Sequence, residues 1–331
     1  MPMTPEIEPK ARTADRSDPI GSLGVLFAAA CWGTSGIFVK FVAGDTQISA
    51  LALAFWRDIT TCLLLLIGLG LLRPSWLRAK KGDLRWLIAL GSSLGIFHVF
   101  WNLGVFLNGA AVATVQQAAM PAIVAVAAWL IWHEPLTWSK ITAIVLTFVG
   151  TALVSGLDVL GQAKLSWSGL LVGLGIPILY ASWNLLGKKV RATYNPFTTL
   201  TYAFAFGALV LLPFQFFTPQ PWPVPPSAFL SFAGLIALST IIPFSIYTFA
   251  LGRLPASVAS ILAMSEIAFV AVYAYTLLGE RLAASQIFGA ALVVGGVLLL
   301  SWHQWQTKGS SMSRSNGRAD SLRFSSRGTT K

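Results

Sequence analysis

The sequence predicts an all-α integral membrane protein with ten transmembrane helices, arranged as two inverted five-helix repeats. Three observations predict it. Of the 331 residues, 55% are hydrophobic and only 11% are charged, apolar runs of helix-spanning length recur along the chain, and the second half repeats the first. A soluble globular chain carries about 25% charged residues, so this composition excludes a water-soluble fold.

Ten segments are apolar and close to the roughly 20 residues that a helix needs to cross a bilayer. In the first half they are 23–42, 50–72, 86–107, 110–132 and 139–155. In the second half they are 169–186, 197–217, 229–252, 256–278 and 285–302. The third and fourth segments are separated only by Asn108-Gly109, a strong turn signal, which favours ten helices over eight or nine.

The basic residues indicate the orientation of the chain. Of its 23 Lys and Arg, all but Lys40, Arg57, Lys164 and Arg281 fall in the tails or in loops on one side of the predicted bundle. Lys and Arg concentrate in cytoplasmic loops. We therefore expect a multi-pass protein of a bacterial inner membrane with both termini cytoplasmic, and the net charge of +11 does not indicate a nucleic-acid partner.

The chain divides into four regions. Residues 1–20 mix charges with prolines and lack a continuous apolar core, so they read as a cytoplasmic N-terminal tail and not as a cleaved signal peptide. The first repeat is predicted over 21–155 and the second over 156–303. Residues 304–331 are rich in Ser, Arg and Gly, which predicts a disordered basic cytoplasmic tail.

The two repeats are visible as internal similarity. A shift of 146 residues pairs Glu134, Leu136, Ser139 and Gly150 with Glu280, Leu282, Ser285 and Gly296, and a shift of 151 pairs Trp32 and Gly36 with Trp183 and Gly187. Because five is an odd number, equivalent helices of the two copies must cross the bilayer in opposite directions. Inverted repeats of this kind place a substrate site near the midplane, between the halves.

These features resemble the drug/metabolite transporter superfamily, and within it the ten-helix EamA-type exporters. The half-repeat of that family has a mid-helix proline, a Gly-Glu-Arg-Leu-like turn and a last helix with spaced glycines. The matching residues here are Pro121, Glu134 and Gly150, then Gly279, Glu280, Arg281, Leu282, Gly289 and Gly296. The sequence departs from the pattern at His133-Glu134-Pro135-Leu136 and at Ile267, which stands where the second proline would fall. The resemblance covers about residues 23–302.

The resemblance implies a secondary transporter that exports small polar metabolites by alternating access through a central cavity. Similar proteins include amino acid exporters, among them the YddG-like exporters of aromatic amino acids, so amino acids are the expected substrates. An exporter or uptake carrier for nucleosides, sugars or drug-like compounds is the alternative, and a membrane-embedded enzyme is a weaker one.

The sequence offers no enzyme or cofactor motif. It has no Walker A sequence, no Gly-rich dinucleotide turn and no His/Cys ligand spacing, so we expect no enzyme activity, no catalytic residue, no cofactor and no metal. The expected partners are a small-molecule substrate, the lipid bilayer and protons. The sequence leaves the oligomeric state open and is compatible with a monomer.

Two ionisable residues lie deep in the predicted helices, where a charge costs several kcal/mol and usually faces a cavity. Glu266, mid-way along the ninth helix, is expected to pair with a substrate ammonium or to take up a proton; the alternative is a carboxyl group satisfied by a neighbouring helix. Arg57 is expected either to bind a substrate carboxylate or to snorkel outward. Its neighbour Asp58 points away from it, because adjacent helix positions diverge.

His98, Trp101 and Asn102 in the third helix stand at i, i+3 and i+4 and so share one face. This face is a candidate cavity wall, where an imidazole could contact substrate or pass a proton. The alternative is a histidine whose hydrogen bonds are satisfied within the core.

The remaining candidates are uncharged. Tyr180 and Trp183 in the sixth helix line the cavity or belong to an aromatic belt at the membrane interface. Gln116, Gln117 and Tyr247 line the same cavity or bridge helices.

Glu134 and Glu280 precede the fifth and tenth helices in equivalent turns. A carboxylate stabilises a helix N-terminus, and we interpret both residues as structural.

Overall fold

The computed structural model describes residues 18–108, 110–155, 167–277 and 283–302. Within these ranges the chain is helical and forms ten apolar helices, of which nine are long enough to span a membrane and one has 17 residues. The helices are α1 (Pro19–Thr46), α2 (Ala50–Leu72), α3 (Leu84–Asn108), α4 (Ala110–Gln117 and Met120–Trp132), α5 (Trp138–Val154), α6 (Trp167–Arg191), α7 (Pro196–Gln215), α8 (Pro226–Leu251), α9 (Ala256–Leu277) and α10 (Ala284–Trp302). The predicted fold class is confirmed.

Capping residues mark where several helices begin. Asp18, Ser49, Thr137 and Asn195 accept hydrogen bonds from backbone N–H groups in the first turns of α1, α2, α5 and α7. Such caps satisfy N–H groups that have no partner inside the helix. The sequence prediction began α1 at residue 23 because it followed hydropathy, whereas Asp18 and Pro19 start the helix four residues earlier.

The outward faces of the helices are strongly apolar. Leu71, Leu171 and Leu230 are exposed by 80%, 68% and 76%. A soluble protein rarely leaves large contiguous apolar patches in contact with water. The surface therefore fits a lipid environment.

Contacts between helix ends define two sides of the bundle. On the side where α1 begins, which we call the N-terminal side, Arg253 after α8 pairs with Asp18 at 2.5 Å. On the same side Glu134, just before α5, accepts a hydrogen bond from the backbone N–H of Ala256 at the start of α9 (2.9 Å).

The far side is the one where α1 ends. There Asp45 accepts a hydrogen bond from Ser227 at the start of α8 (2.7 Å), and Gln286 at the start of α10 donates to the carbonyl of Val154 at the end of α5 (3.1 Å). The start of α5 thus lies on the N-terminal side and the start of α10 on the far side. These two helices are equivalent in the repeat, so the two halves are inverted.

Three helices are interrupted, which the sequence analysis did not anticipate. Short turns break α1 at Gly33-Thr34, α4 at Ala118-Ala119 and α9 at Met264-Ser265, and α8 widens into a π-helical segment over Ala237–Ile241. The breaks in α4 and α9 are 146 residues apart, the spacing of the internal repeat. The sequence predicted Glu266 in the middle of a continuous helix. In the structure it is instead the first residue of the second piece of α9.

Close glycine contacts join the two halves. A Cβ atom on Gly95 of α3 would lie 2.7 Å from the carbonyl oxygen of Gly207 in α7, and one on Gly150 of α5 would lie 2.6 Å from that of Gly289 in α10. Small residues let membrane helices approach closely, where van der Waals packing holds them together. These two contacts connect the first half to the second.

Replacing Gly95 with Ala is expected to destabilise the protein, because the added methyl group would overlap backbone atoms of α7. Overpacking of this kind costs about 1–3 kcal/mol, which should appear as a lower unfolding temperature of the purified protein in detergent. Gly68→Ala in α2 is the matched control, since a Cβ there meets nothing within 4 Å. Equal unfolding temperatures for the two variants would contradict the packing seen here.

Candidate functional site

A cavity lies between the two halves, at the level of the helix breaks. Its walls come from α1, α2, α3 and α4 of the first half and from α6, α8 and α9 of the second. The lining residues are Trp32, Ser35, Arg57, Phe97, His98, Trp101, Gln117, Tyr180, Phe244 and Glu266. Its empty space, with the open mouth included, is about 420 Å³.

Four half-helix ends, from three interrupted helices, reach this cavity. Trp32 and Ser35 flank the break in α1, Gln117 ends the first piece of α4, and Glu266 begins the second piece of α9. Helix ends carry backbone groups without intrahelical partners and partial charges of opposite sign. The breaks therefore present polar backbone at a depth where a continuous helix would present none.

Arg57 is held inside the bundle by neutral groups. Its guanidinium Nε donates to Thr240 Oγ1 at 2.9 Å and its Nη2 to the Ser239 carbonyl at 3.3 Å, both in the π-helical segment of α8. Its charged end also lies 5.8 Å from the centre of the Phe244 ring, within range of a cation–π contact. Arg57 lines the cavity and only 8% of it is exposed, so the snorkelling alternative is wrong.

Asp58 and His98 form a buried pair beside the cavity. Asp58 Oδ1 lies 2.7 Å from His98 Nδ1, and no part of the Asp58 side chain is exposed. Arg57 and Asp58 thus have different partners, as adjacent helix positions require. His98 lines the cavity, whereas Asp58 lies behind it.

Glu266 provides the second charged side chain of the cavity wall. It is half-buried at the start of the second piece of α9 and interacts electrostatically with Arg57. Among the residues that the structure describes, none donates a hydrogen bond to its carboxylate. Two opposite charges from the two halves therefore face one space.

Aromatic rings close the cavity toward the N-terminal side. Tyr180 stacks on Phe97 with ring centres 4.6 Å apart, and Trp183 stacks between Tyr180 (5.7 Å) and Tyr247 (5.6 Å). Asn184 donates a hydrogen bond to the Tyr247 hydroxyl. Trp183 is 2% exposed and Tyr247 fully buried, so the interpretation of this stripe as an interface belt is wrong: α6 turns it toward α8 and not toward lipid.

Polar contacts of Glu134 lie on the N-terminal side of these rings. Glu134 is 4% exposed and accepts hydrogen bonds from the backbone N–H of Ala256 and from Ser257 Oγ (2.5 Å), with Lys140 Nζ 3.8 Å away. These contacts fit the interpretation of Glu134 as structural, but the helix start to which it hydrogen-bonds is that of α9 and not that of α5. It reaches across to the start of α9 because the α4–α5 turn packs against that helix end. Its counterpart Glu280 lies outside the described residues.

The structure brings six of the ten predicted site residues to the cavity wall. They are Arg57, His98, Trp101, Gln117, Tyr180 and Glu266. Trp183 and Tyr247 form the floor below. Asn102 instead donates to the Ala50 carbonyl at 3.0 Å and so bridges α3 to α2, and Gln116 packs so closely on Gly173 of α6 that a Cβ there would overlap it.

Four lining residues were not predicted. They are Trp32, Ser35, Phe97 and Phe244. The internal repeat carried a signal for two of them, because the 151-residue shift pairs Trp32 with Trp183 and the 146-residue shift pairs Phe244 with His98. Ser35 and Phe97 carried no such signal.

An inverted pair of helical repeats, with broken helices around a cavity at their interface, is the architecture of secondary membrane transporters. A family model described as the EamA-like transporter family matches residues 19–156 and again residues 167–302. The chain belongs to this family, which is part of the drug/metabolite transporter superfamily. It is a membrane transporter.

Individual relatives agree with this assignment. The chain is 28% identical to the uncharacterized inner membrane transporter YicL of Salmonella typhimurium over 85% of this chain and 95% of that protein. It is 27% identical to the uncharacterized transporter YwfM of Bacillus subtilis over 85% of this chain and 94% of that protein. A crystal structure with 18% sequence identity superimposes with a TM-score of 0.72 and covers 88% of this chain and 99% of that one, which supports the fold.

Glu134→Gln is expected to destabilise the closed N-terminal side, because a neutral amide caps α9 more weakly than a carboxylate. Hydrogen bonds to charged groups contribute about 1.5–3 kcal/mol, so the unfolding temperature in detergent should fall. Asp45→Asn is the matched control, since Asp45 is exposed and bonds a single serine. An unchanged unfolding temperature for Glu134→Gln would show that this contact is not stabilising.

Proposed function

We propose that the protein is a secondary transporter that exports amino acids by alternating access, and that it is not an enzyme. The observation that carries the proposal is the pair of opposite charges, Arg57 from the first half and Glu266 from the second, in one cavity between the halves. A free amino acid carries a carboxylate and an ammonium group a few ångströms apart. Arg57 binds the carboxylate and Glu266 the ammonium.

The rest of the wall suits an apolar substrate side chain. Trp32, Phe97, Tyr180 and Phe244 line the cavity, and Trp32 and Phe244 meet edge to face at 5.2 Å. Aromatic side chains provide large apolar contact area and favourable ring-to-ring geometry. This composition supports amino acids with aromatic or large apolar side chains, in line with the resemblance to aromatic amino acid exporters.

Alternating access requires the floor of the cavity to open. The aromatic stack around Trp183 and the contact from Glu134 to α9 close the N-terminal side in this conformation. In the proposed cycle the two halves rock so that these layers separate and the cavity faces the other side of the membrane. Both termini face the cytoplasm, and the membrane is the bacterial inner membrane.

Glu266→Gln tests the binding role, because glutamine keeps the shape of the side chain and removes its charge. Truncating one member of a buried charged contact costs about 2–5 kcal/mol, so counterflow of a radiolabelled mixture of L-amino acids into proteoliposomes should fall at least about thirtyfold. Asp45→Asn should retain the wild-type rate. Wild-type counterflow by Glu266→Gln, or counterflow by the wild type of labelled nucleosides or sugars but not of amino acids, would refute the proposal.

Single cysteines test the orientation, in a background where the buried Cys31 and Cys62 are replaced by Ala. Ser75→Cys lies on the N-terminal side between α2 and α3, and Gln47→Cys on the far side between α1 and α2. In intact cells, a membrane-impermeant maleimide should label Gln47→Cys and leave Ser75→Cys unlabelled until the membrane is opened. The reverse pattern would place the N-terminal side outside.

A further inference from the structure

The charge contacts proposed for the substrate, Arg57 and Glu266, do not involve the pair formed by Asp58 and His98. The two side chains meet at 2.7 Å, with His98 3% exposed and Asp58 not exposed at all. Among the described residues, neither His98 Nε2 nor Asp58 Oδ2 has a hydrogen-bond partner. Buried polar atoms are nearly always bonded, so two open positions in one pair indicate a group that binds something further.

The imidazole of His98 lies between Asp58 and the cavity. A Cβ on Gly207 of α7 would lie 2.7 Å from Asp58 Oδ2, so α7 covers the carboxylate from behind. His98 covers it from the front and lines the cavity itself. A proton that reaches this pair from the cavity therefore meets the imidazole of His98 before the carboxylate of Asp58.

The charges around the pair do not balance. Arg57 and Cys62 on α2 interact electrostatically with the pair, and Tyr180 on α6 and Glu266 on α9 line the same cavity as His98. On the side of α7 and α8, the rings of Phe204 and Phe244 lie against the imidazole, with centres 6.2 and 5.9 Å from its own. With tyrosine and thiol neutral, one positive charge on Arg57 stands against two negative charges on Asp58 and Glu266.

A zwitterionic amino acid does not correct this imbalance, because it brings no net charge. A proton does. Net charge in a site shielded from water is costly, so the cavity that closes after the substrate has left is neutral when it has bound one proton.

We propose that Asp58 and His98 form the proton-binding site that couples this transporter to the pH gradient. After the substrate has left, the lone pair of His98 Nε2 takes a proton from cavity water on the outer side, and the imidazolium stays paired with the Asp58 carboxylate through Nδ1–H. After the halves rearrange, Nε2–H returns the proton to water on the cytoplasmic side, so the proton moves inward as the substrate moves outward. The inference rests on the proposed function and gives substrate and proton separate sites, Arg57 with Glu266 and Asp58 with His98.

Two assays on reconstituted full-length protein separate the two sites. Counterflow of the radiolabelled L-amino acid mixture at equal pH needs no net proton movement, whereas accumulation driven by an imposed pH gradient does, and a trapped pH dye reports the protons. Asp58→Asn should retain counterflow while gradient-driven accumulation and dye response fall to the level of protein-free liposomes. His98→Gln should lose the same coupled signals. Glu266→Gln should lose both counterflow and the coupled signals, and Asp45→Asn should lose neither.

A measurement without substrate keeps the inference falsifiable if a variant transports poorly. The chain has three histidines, so replacing His133 and His303 with Asn leaves His98 as the one imidazole for nitrogen NMR. In that background His98 should change from neutral to protonated as the pH falls, and Asp58→Asn should move the midpoint to lower pH, because a neighbouring carboxylate favours the protonated form of the imidazole.

The outcomes distinguish the two proposals. Absence of amino acid counterflow by the wild type would refute the substrate assignment, while the histidine titration would still decide whether the pair binds a proton. Wild-type counterflow together with full gradient-driven accumulation by Asp58→Asn would refute the coupling site alone. A His98 imidazole that stays neutral, or a His98 titration midpoint that Asp58→Asn leaves unchanged, would also refute the coupling site alone.

Discussion

Backbone hydrogen bonding constrains where a helix of this protein can be interrupted. In lipid, an N–H or C=O group without a partner costs several kcal/mol, so irregular backbone is tolerated only inside the protein or beside a water-filled cavity. The breaks at Gly33-Thr34 and Met264-Ser265 directly precede the lining residues Ser35 and Glu266. The same constraint therefore locates the cavity and supplies it with polar groups, because the helix ends that could not face lipid face this space.

The fold is nearly symmetric but the chemistry is not. The repeat spacing of 146 residues relates the breaks in α4 and α9, yet it pairs Met120 with Glu266 and His98 with Phe244. In each pair only one member is ionisable. Duplication thus provides two similar five-helix repeats around one cavity. Substitutions within the repeats place the opposite charges in different halves, so that a ligand with two opposite charges contacts both halves at once.

Much of the fold follows from the sequence, because apolar length and an odd repeat determine both the helix count and the inversion. The charged lining residues were also predictable, since a charge at mid-depth implies a cavity. Other features depend on tertiary contacts that no local pattern encodes. The break in α9 has no proline to mark it, Asp58 and His98 are 40 residues apart, and the side of α6 that carries Trp183 faces inward only because α8 packs against it.

One short helix connects the closure of the N-terminal side to the cavity. The first piece of α9, Ala256–Ala263, has eight residues and is about 12 Å long at 1.5 Å per residue. Glu134 of the first half binds its beginning, and Glu266 follows directly after the turn at its end. Every residue of this piece is buried, and a packed helix moves as a rigid body more easily than it bends. Separating Glu134 from α9 would therefore displace Glu266 relative to Arg57, because α2 and the π-helical segment of α8 hold Arg57 in place. Opening of the N-terminal side and weaker binding of a zwitterion between Arg57 and Glu266 would then result from the same movement.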